Sequence, residues 1–350
     1  MKIQTIKPIT KQQSIVLELL KDKKVYPHQI SKINLQETHI SWIFLTGKYA
    51  YKVKKELKFG KVLDFSTLSL RRKFCQKEVD LNKLLCPDIY KGVVRIGRES
   101  DGSIRIRDMN TNLDRRRGVK TLEYAVKMKE IPQKYRMDHL VCKDRIGTKT
   151  ITRLAEVLVK FHKSTPTNNR IMLFGRPKSL KMKIAENFNT LSKHANIHPK
   201  FEQKLLSFIA NNSTLLYHRI NQSKIRDIHG DLYLKNIFIV HHKFYLYDRI
   251  EFNDSLRYAD VAEDVAHVSM DLDYHKKFDL RKHFFSQYIK RSMDSTLKDL
   301  IYFWMCHKAF VRAKVSFFSA KGEIDKQRRA TSIKEAVDHL RLAASYIELF

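Results

Sequence analysis

The sequence predicts a two-lobed α+β protein, and three observations carry that expectation. The first third is rich in β-forming runs, a breaker stands at Ile131-Pro132, and almost everything beyond it has helical periodicity. The boundary is expected there, with an N-terminal lobe over residues 1–130 and a C-terminal lobe over residues 131–350.

The elements follow in order. The opening stretch, MKIQTIKPITKQQSIVLELL, reads as an amphipathic helix and not a signal peptide, because its apolar part is short and broken by Glu18. Residues 34 to 55 carry two β-rich runs joined at Thr46-Gly47-Lys48, which is hairpin chemistry. Ser66 or Thr67 caps the next helix, whose stripe is Leu70, Phe74, Leu81 and Leu84, and Pro87 closes it. Strands are expected over Gly92 to Ile96 and Ser103 to Arg107, turning at Asp101-Gly102, and a further run covers Leu122 to Lys129. Helices are expected over residues 148 to 163, 177 to 193, 199 to 222, 281 to 294, 296 to 320 and 323 to 349. Only a short β-like stretch from Lys224 to Tyr247 interrupts them.

Composition narrows the function classes. A hydrophobic fraction of 43% with 20 Phe and 15 Tyr excludes wholesale disorder. No uncharged apolar stretch is long enough to span a membrane, so a cytoplasmic protein without a membrane partner is expected. Cys75, Cys86, Cys142 and Cys306 are far apart and form no C-x-x-C pair, so they read as buried free thiols. Lys and Arg number 68 against 37 acids, a formal charge of +31. That field attracts polyanions. The basic runs at residues 21 to 24, 71 to 73, 115 to 117 and 326 to 329 are scattered, with no aromatic interleaving. A solvated basic surface is the plainer explanation; a polyanion contact is the other.

The chemistry concentrates in IRDIHGDLYLKNIFIVHHKFYLYDRIEFND, residues 225 to 254. Phosphoryl transfer needs a carboxylate beside the attacking hydroxyl and oxygen ligands for magnesium bridging the phosphates. Asp231, in a tight loop opened by Gly230, can be the carboxylate, and Asn236 can turn an amide oxygen to the metal. Residues 237 to 240 and 244 to 247 form a hairpin that delivers Asp248 to the same end. Each of these residues alone is an ordinary turn or cap former. Their order and spacing make the case. His229 reads as a loop-bracing histidine that hydrogen-bonds backbone.

The run His229-Gly230-Asp231, four residues and Asn236 resembles the H-G-D-x-x-x-x-N catalytic loop of the aminoglycoside phosphotransferase-like family, the small-molecule branch of the protein-kinase fold. Through YDRIEFNDSLRYADVAEDVAHVSMDLD the chain is similar to a bacterial and archaeal subfamily of unassigned substrate, sometimes fused to a P-loop domain. The resemblance covers residues from about 35 to 320. It implies an ATP-dependent phosphotransferase with Asp231 as base and Asn236 and Asp248 on Mg2+. It further implies Asp264, in Asp264-Val265-Ala266, as a brace for the catalytic loop. Ala50-Tyr51-Lys52-Val53 resembles the family's phosphate-lysine strand, with Glu78 as the helix partner of Lys52. Strand alternation puts Ala50, Lys52 and Lys54 on one face, so Lys54 is the alternative partner.

Departures are visible. Thr38, His39 and Ser41 stand where a glycine-rich phosphate loop would be, and Arg249-Ile250-Glu251 replaces the Phe-Gly that follows the metal aspartate in protein kinases. Gly92 to Glu99 is no P-loop, because Arg98-Glu99 occupies the Lys-Ser/Thr positions. Between Asp248 and Asp273 eight acids face two bases. The expected acceptor is a small hydroxyl compound, neutral or anionic, because a strongly positive molecule collects polycations poorly. The contrasting expectation is a kinase-fold protein whose chemistry has lapsed and which binds nucleic acid or another polyanion.

Overall fold

The computed structural model describes residues 10–60, 62–109, 119–323 and 325–350. The chain divides into two compact units, Met1–Ile131 and Pro132–Phe350. Among the described residues no helix is long and apolar enough to cross a membrane.

The first unit opens with α1 (Lys11–Lys21), whose N-cap Thr10 and Gln13 exchange hydrogen bonds in a capping box. A six-stranded antiparallel sheet follows: β1 (Asn34–Glu37), β2 (Ser41–Leu45), β3 (Tyr49–Lys54), β6 (Tyr90–Arg98), β7 (Ile104–Asp108) and β8 (Lys120–Lys129). Their spatial order is β1-β2-β3-β8-β6-β7. The first predicted run is two strands, because Thr38 Oγ1 accepts from the Ser41 N–H at 3.0 Å and turns the chain. Gly47, at φ +87°, makes the predicted β2–β3 turn. A short hairpin, β4 (Lys58–Phe59) with β5 (Leu63–Asp64), precedes α2 (Leu68–Lys83), which Thr67 caps through the Leu70 N–H at 3.2 Å.

Period-two alternation in β3 sorts its side chains. Tyr51 and Val53 join Ile15, Val16 and Leu19 of α1 in a buried apolar cluster, while Lys52 and Lys54 turn to α2. The buried face of α2 is therefore Arg71, Cys75, Glu78, Val79 and Asn82, not the leucine stripe, and Leu84 is exposed. Arg71, read from sequence as part of a surface basic run, is buried against Glu123 at 2.9 Å. The basic run at 115 to 117 lies outside the described residues.

The second unit is mostly helical. It contains α3 (Met137–Cys142), α4 (Thr148–Ser164), α5 (Asn169–Met172), α6 (Pro177–Leu191), α7 (Pro199–Asn211) and α8 (Ser213–Asn221). The strands β9 (Ile225–Asp227), β10 (Ile237–Val240), β11 (Lys243–Leu246) and β12 (Tyr258–Asp260) come next, then α9 (Ala262–Tyr274), α10 (Phe278–Ser292), α11 (Ile301–Gly322) and α12 (Lys326–Ile347). The helix expected over 199 to 222 is broken at Asn212. The helix α9 was not expected. Every residue from Ala262 to Asp273 is buried, so the sequence carries no two-sided pattern to reveal it. Three cysteines are buried as expected, but Cys142 is exposed.

Candidate active site

The loop between β9 and β10 is built around one buried carboxylate. Asp264, near the start of α9, accepts from the backbone N–H of His229 at 2.8 Å and of Gly230 at 3.0 Å. It also lies 3.1 Å from Nε2 of His162 on α4. Burial alone would raise its pKa, but the His162 ring and the loop N–H groups hold it below the usual carboxylate range. Gly230 is required where it stands. Its φ is +88°, and a Cβ there would lie 2.8 Å from the Leu256 carbonyl oxygen.

This brace presents Asp231. Asn236 Nδ2 donates to the Asp231 carbonyl at 2.9 Å and lies 3.4 Å from its carboxylate. With the amide nitrogen so engaged, the amide oxygen is the atom left for a hard cation. The β10–β11 pairing sets Ile237 opposite Leu246, and the Tyr247 N–H donates to the Asn236 carbonyl at 3.1 Å. That register brings Asp248 to the Asn236 end of the hairpin, in a left-handed conformation with φ +65°. Nearby, burial raises the Asp231 pKa, with Arg312 opposing and the charge of Asp248 adding to the rise. Among the described residues no group of three or more His, Cys, Asp or Glu side chains is placed to hold a metal. Two oxygen-bearing residues still suit magnesium, which takes few protein ligands and completes its shell with phosphates and water.

His229 donates from Nε2 to the Tyr247 carbonyl, 3.1 Å away, which ties the loop to the hairpin as the sequence suggested. Burial pushes its pKa down to about 4, so it is neutral at physiological pH. A second tie was not anticipated. Arg249 donates from Nε to the Ile228 carbonyl at 3.0 Å, and its Nη2 lies 2.7 Å from the Asp227 carboxylate. Asp227 also pairs with Arg257. Arg249 is thus a buried clamp between the β11 end and the β9–β10 loop. A basic residue between an apolar strand and Ile250 was the available signal.

In the first unit Glu78 takes both lysines. Lys52 Nζ lies 2.9 Å from Oε1 and Lys54 Nζ 2.6 Å from Oε2. The expectation of Lys52 in preference to Lys54 is corrected: residues two apart on a strand share a face, and one carboxylate has an oxygen for each. Burial would raise Glu78, yet the two ammonium groups outweigh it and lower its pKa. Lys54 is wholly buried, with Nζ 4.9 Å from the Phe65 ring centroid, while Lys52 keeps 5% exposure. Ala50, two residues before Lys52, is buried.

Half of the eight acids between Asp248 and Asp273 are ion-paired with Lys or Arg. Asp254 pairs with Arg257, Asp260 with Arg219, Glu263 with Lys183 and Lys308, and Asp273 with Arg281. Asp271 accepts from the Leu234 N–H at 2.7 Å.

No family model matches the chain. An uncharacterized protein of Mycobacterium tuberculosis (strain ATCC 25618 / H37Rv) is 28% identical over 322 residues, covering 90% of this chain and 60% of its own length. An uncharacterized protein of Mycobacterium bovis matches to the same extent. The chain therefore spans about 60% of the length of these curated relatives. Among solved structures, a GDP complex of an aminoglycoside 2'-phosphotransferase aligns with a TM-score of 0.51 at 13% identity, covering 95% of this chain and 96% of that one. Choline kinase from Cryptosporidium parvum Iowa II aligns with a TM-score of 0.51 at 12% identity, covering 96% of each chain. At such identities the likeness speaks for fold, and with the six-stranded sheet and the helical second unit it shows an α+β, two-lobed, protein-kinase-like chain.

Proposed function

We propose that the protein is an ATP-dependent phosphotransferase of the aminoglycoside phosphotransferase-like family, moving the γ-phosphate of ATP to a hydroxyl of a small molecule. The observation that carries this reading is the convergence of Asp231, Asn236 and Asp248 on a loop whose backbone is gripped by Asp264. The acceptor hydroxyl oxygen attacks the γ-phosphorus, the bond to the β–γ bridging oxygen breaks, and ADP departs with that electron pair. The hydroxyl proton passes to the Asp231 carboxylate, whose raised pKa suits it to the task. Asn236 orients Asp231 through its carbonyl and, with Asp248, supplies the oxygen atoms for Mg2+. When bound, the ion would neutralise charge on the phosphates. Lys52, held by Glu78, is our assignment for the ATP phosphates, with Ala50 lining the nucleotide site.

Calorimetric titration of ATP with and without magnesium tests the assignment. Wild-type protein is expected to bind the nucleotide far more tightly with the ion, and Asp248→Ala to lose that difference. Unchanged magnesium-dependent binding in the variant would remove Asp248 from the site.

A further inference from the structure

One buried cation beside Asp231 has no ion-pair partner. Arg312, on α11, is 8% exposed, and among the described residues no carboxylate lies within 4.0 Å of its guanidinium. Its carbon centre lies 4.1 Å from the centroid of the Tyr233 ring, two residues beyond Asp231. Lys308, one turn earlier on the same helix, is engaged differently: Nζ lies 2.8 Å from Glu263 and 3.4 Å from the Gly230 carbonyl. A guanidinium offers five N–H donors in a planar fork, open here to an acceptor that a ligand brings.

A second side chain at the same place is also unsatisfied. His267 is 1% exposed, its Nδ1 lies 3.9 Å from the Asp231 carboxylate, and neither ring nitrogen has a hydrogen-bond partner. Its ring is stacked with that of Tyr233 at 5.5 Å. Tyr233 therefore has a guanidinium over it and an imidazole stacked with it, and among the described residues neither has an acceptor within bonding reach.

We propose that Arg312, assisted by His267, receives an anionic group of the acceptor, so that the hydroxyl compound phosphorylated here carries a phosphate or carboxylate. This rests on the kinase reading above and deepens it. The neighbouring acids are largely committed: Asp260, Glu263 and Asp273 are ion-paired, Asp264 braces the loop, and the kinase reading gives Asp231 to the acceptor proton and Asp248 to Mg2+. Asp231, Asp271 and Glu335 lie near enough to favour the Arg312 charge, yet none of them bonds it. A planar fork suits the paired oxygens of either anion.

The test is ADP release with Mg-ATP and matched hydroxyl compounds: glycerol, glycerate and glycerol 3-phosphate; ribose and ribose 5-phosphate; choline as the cation. Turnover is expected with anionic members alone, and glycerate against glycerol 3-phosphate separates carboxylate from phosphate. Arg312→Gln should raise the KM of the accepted compound ~30-fold or more, as expected for truncating one partner of a buried charge pair, with the KM for ATP unmoved. Arg312→Lys, which keeps the charge without the fork, should recover only part, and serves alone if the glutamine variant does not fold. Equal turnover of neutral or cationic compounds, or a loss of ATP affinity in place of acceptor affinity, would overturn the proposal. Inorganic phosphate titrated into nucleotide-free protein judges the subsite separately from the kinase reading. Wild-type heat that Arg312→Gln abolishes supports it, even if Mg-ATP fails to bind; equal heats in both proteins sink it.

Discussion

Glu78 holds two buried lysines with one carboxylate, and that division decides what each lysine can do. Replacing Glu78 by Gln would strand two ammonium groups in the interior, at a cost on the order of 3–5 kcal/mol. Lys54, wholly buried beneath the Phe65 ring, has no access to a ligand, whereas Lys52 keeps a small exposed surface. Lys52→Met should therefore weaken ATP binding at least ~10-fold, the loss of a charge-assisted contact of about 1.5–3 kcal/mol. Lys54→Met should lower the urea midpoint and leave ATP affinity within a factor of two. The reverse ranking in calorimetry would exchange their roles. Asp231→Asn keeps size and some hydrogen bonding but cannot take a proton. ATP affinity should persist while transfer falls by about two to four orders of magnitude. Part of that loss would be misorientation of the hydroxyl. Wild-type turnover in this variant would withdraw the base from Asp231 and direct attention to Glu251 or His229.

Elements explain which parts of the fold and site could be read ahead of the structure. The β10–β11 hairpin and its delivery of Asp248 were legible, because an apolar run, a turn and a second run have few other readings. So was the turn at Gly47. The helix α9 was not, since burial on all sides erases the 3.6-residue pattern. The α2 seam was misjudged for the opposite reason: its leucines drew attention, while the face that packs carries Arg71 and Glu78 for partners elsewhere in the sequence. Arg249 belongs to the same class, a charge whose purpose depends on Asp227 and Ile228, more than twenty residues away. Its guanidinium also lies 5.3 Å from the Phe161 centroid, so three elements meet on it. Arg249→Met should destabilise by roughly 3–5 kcal/mol, the usual cost of breaking a buried pair and leaving Asp227 with Arg257 alone. Because the clamp fixes the approach to Asp248, magnesium-dependent nucleotide binding should weaken in the same variant. Normal binding together with reduced stability would limit Arg249 to a structural role.

At the scale of the whole molecule, several histidines are buried in the neutral form within a chain of formal charge +31. Burial brings His229 and His339 down to about 4, and His267 and His307 well below their ordinary value. In the unfolded chain the same rings titrate near ~6.5. As pH falls below that value the unfolded state takes up protons that the folded state refuses, so stability declines with acidification. For His229 and His339 the stabilisation is fully present above the unfolded pKa and is lost as pH falls towards the folded value of about 4. Each group contributes up to about 1.4 kcal/mol per pH unit across that window, on the order of 3 kcal/mol in full. The lowered carboxylates Glu78, Glu263 and Asp264 act later, below the ordinary carboxylate pKa. The urea midpoint should accordingly fall between pH 6.5 and 5, with the raised carboxylates Glu123, Asp231, Asp271 and Asp273, which take up protons first in the folded state, opposing part of the decline. Repulsion among the many cations would produce a decline of the same sign, but added salt screens it over about 8 Å at physiological ionic strength. Salt leaves the desolvation of a buried ring almost untouched. Repeating the series at 0.1 and 0.5 M NaCl separates the causes: the midpoints should rise with salt while the slope below pH 6.5 persists. A slope that vanishes in 0.5 M salt would assign the acid sensitivity to the basic surface and not to the buried histidines.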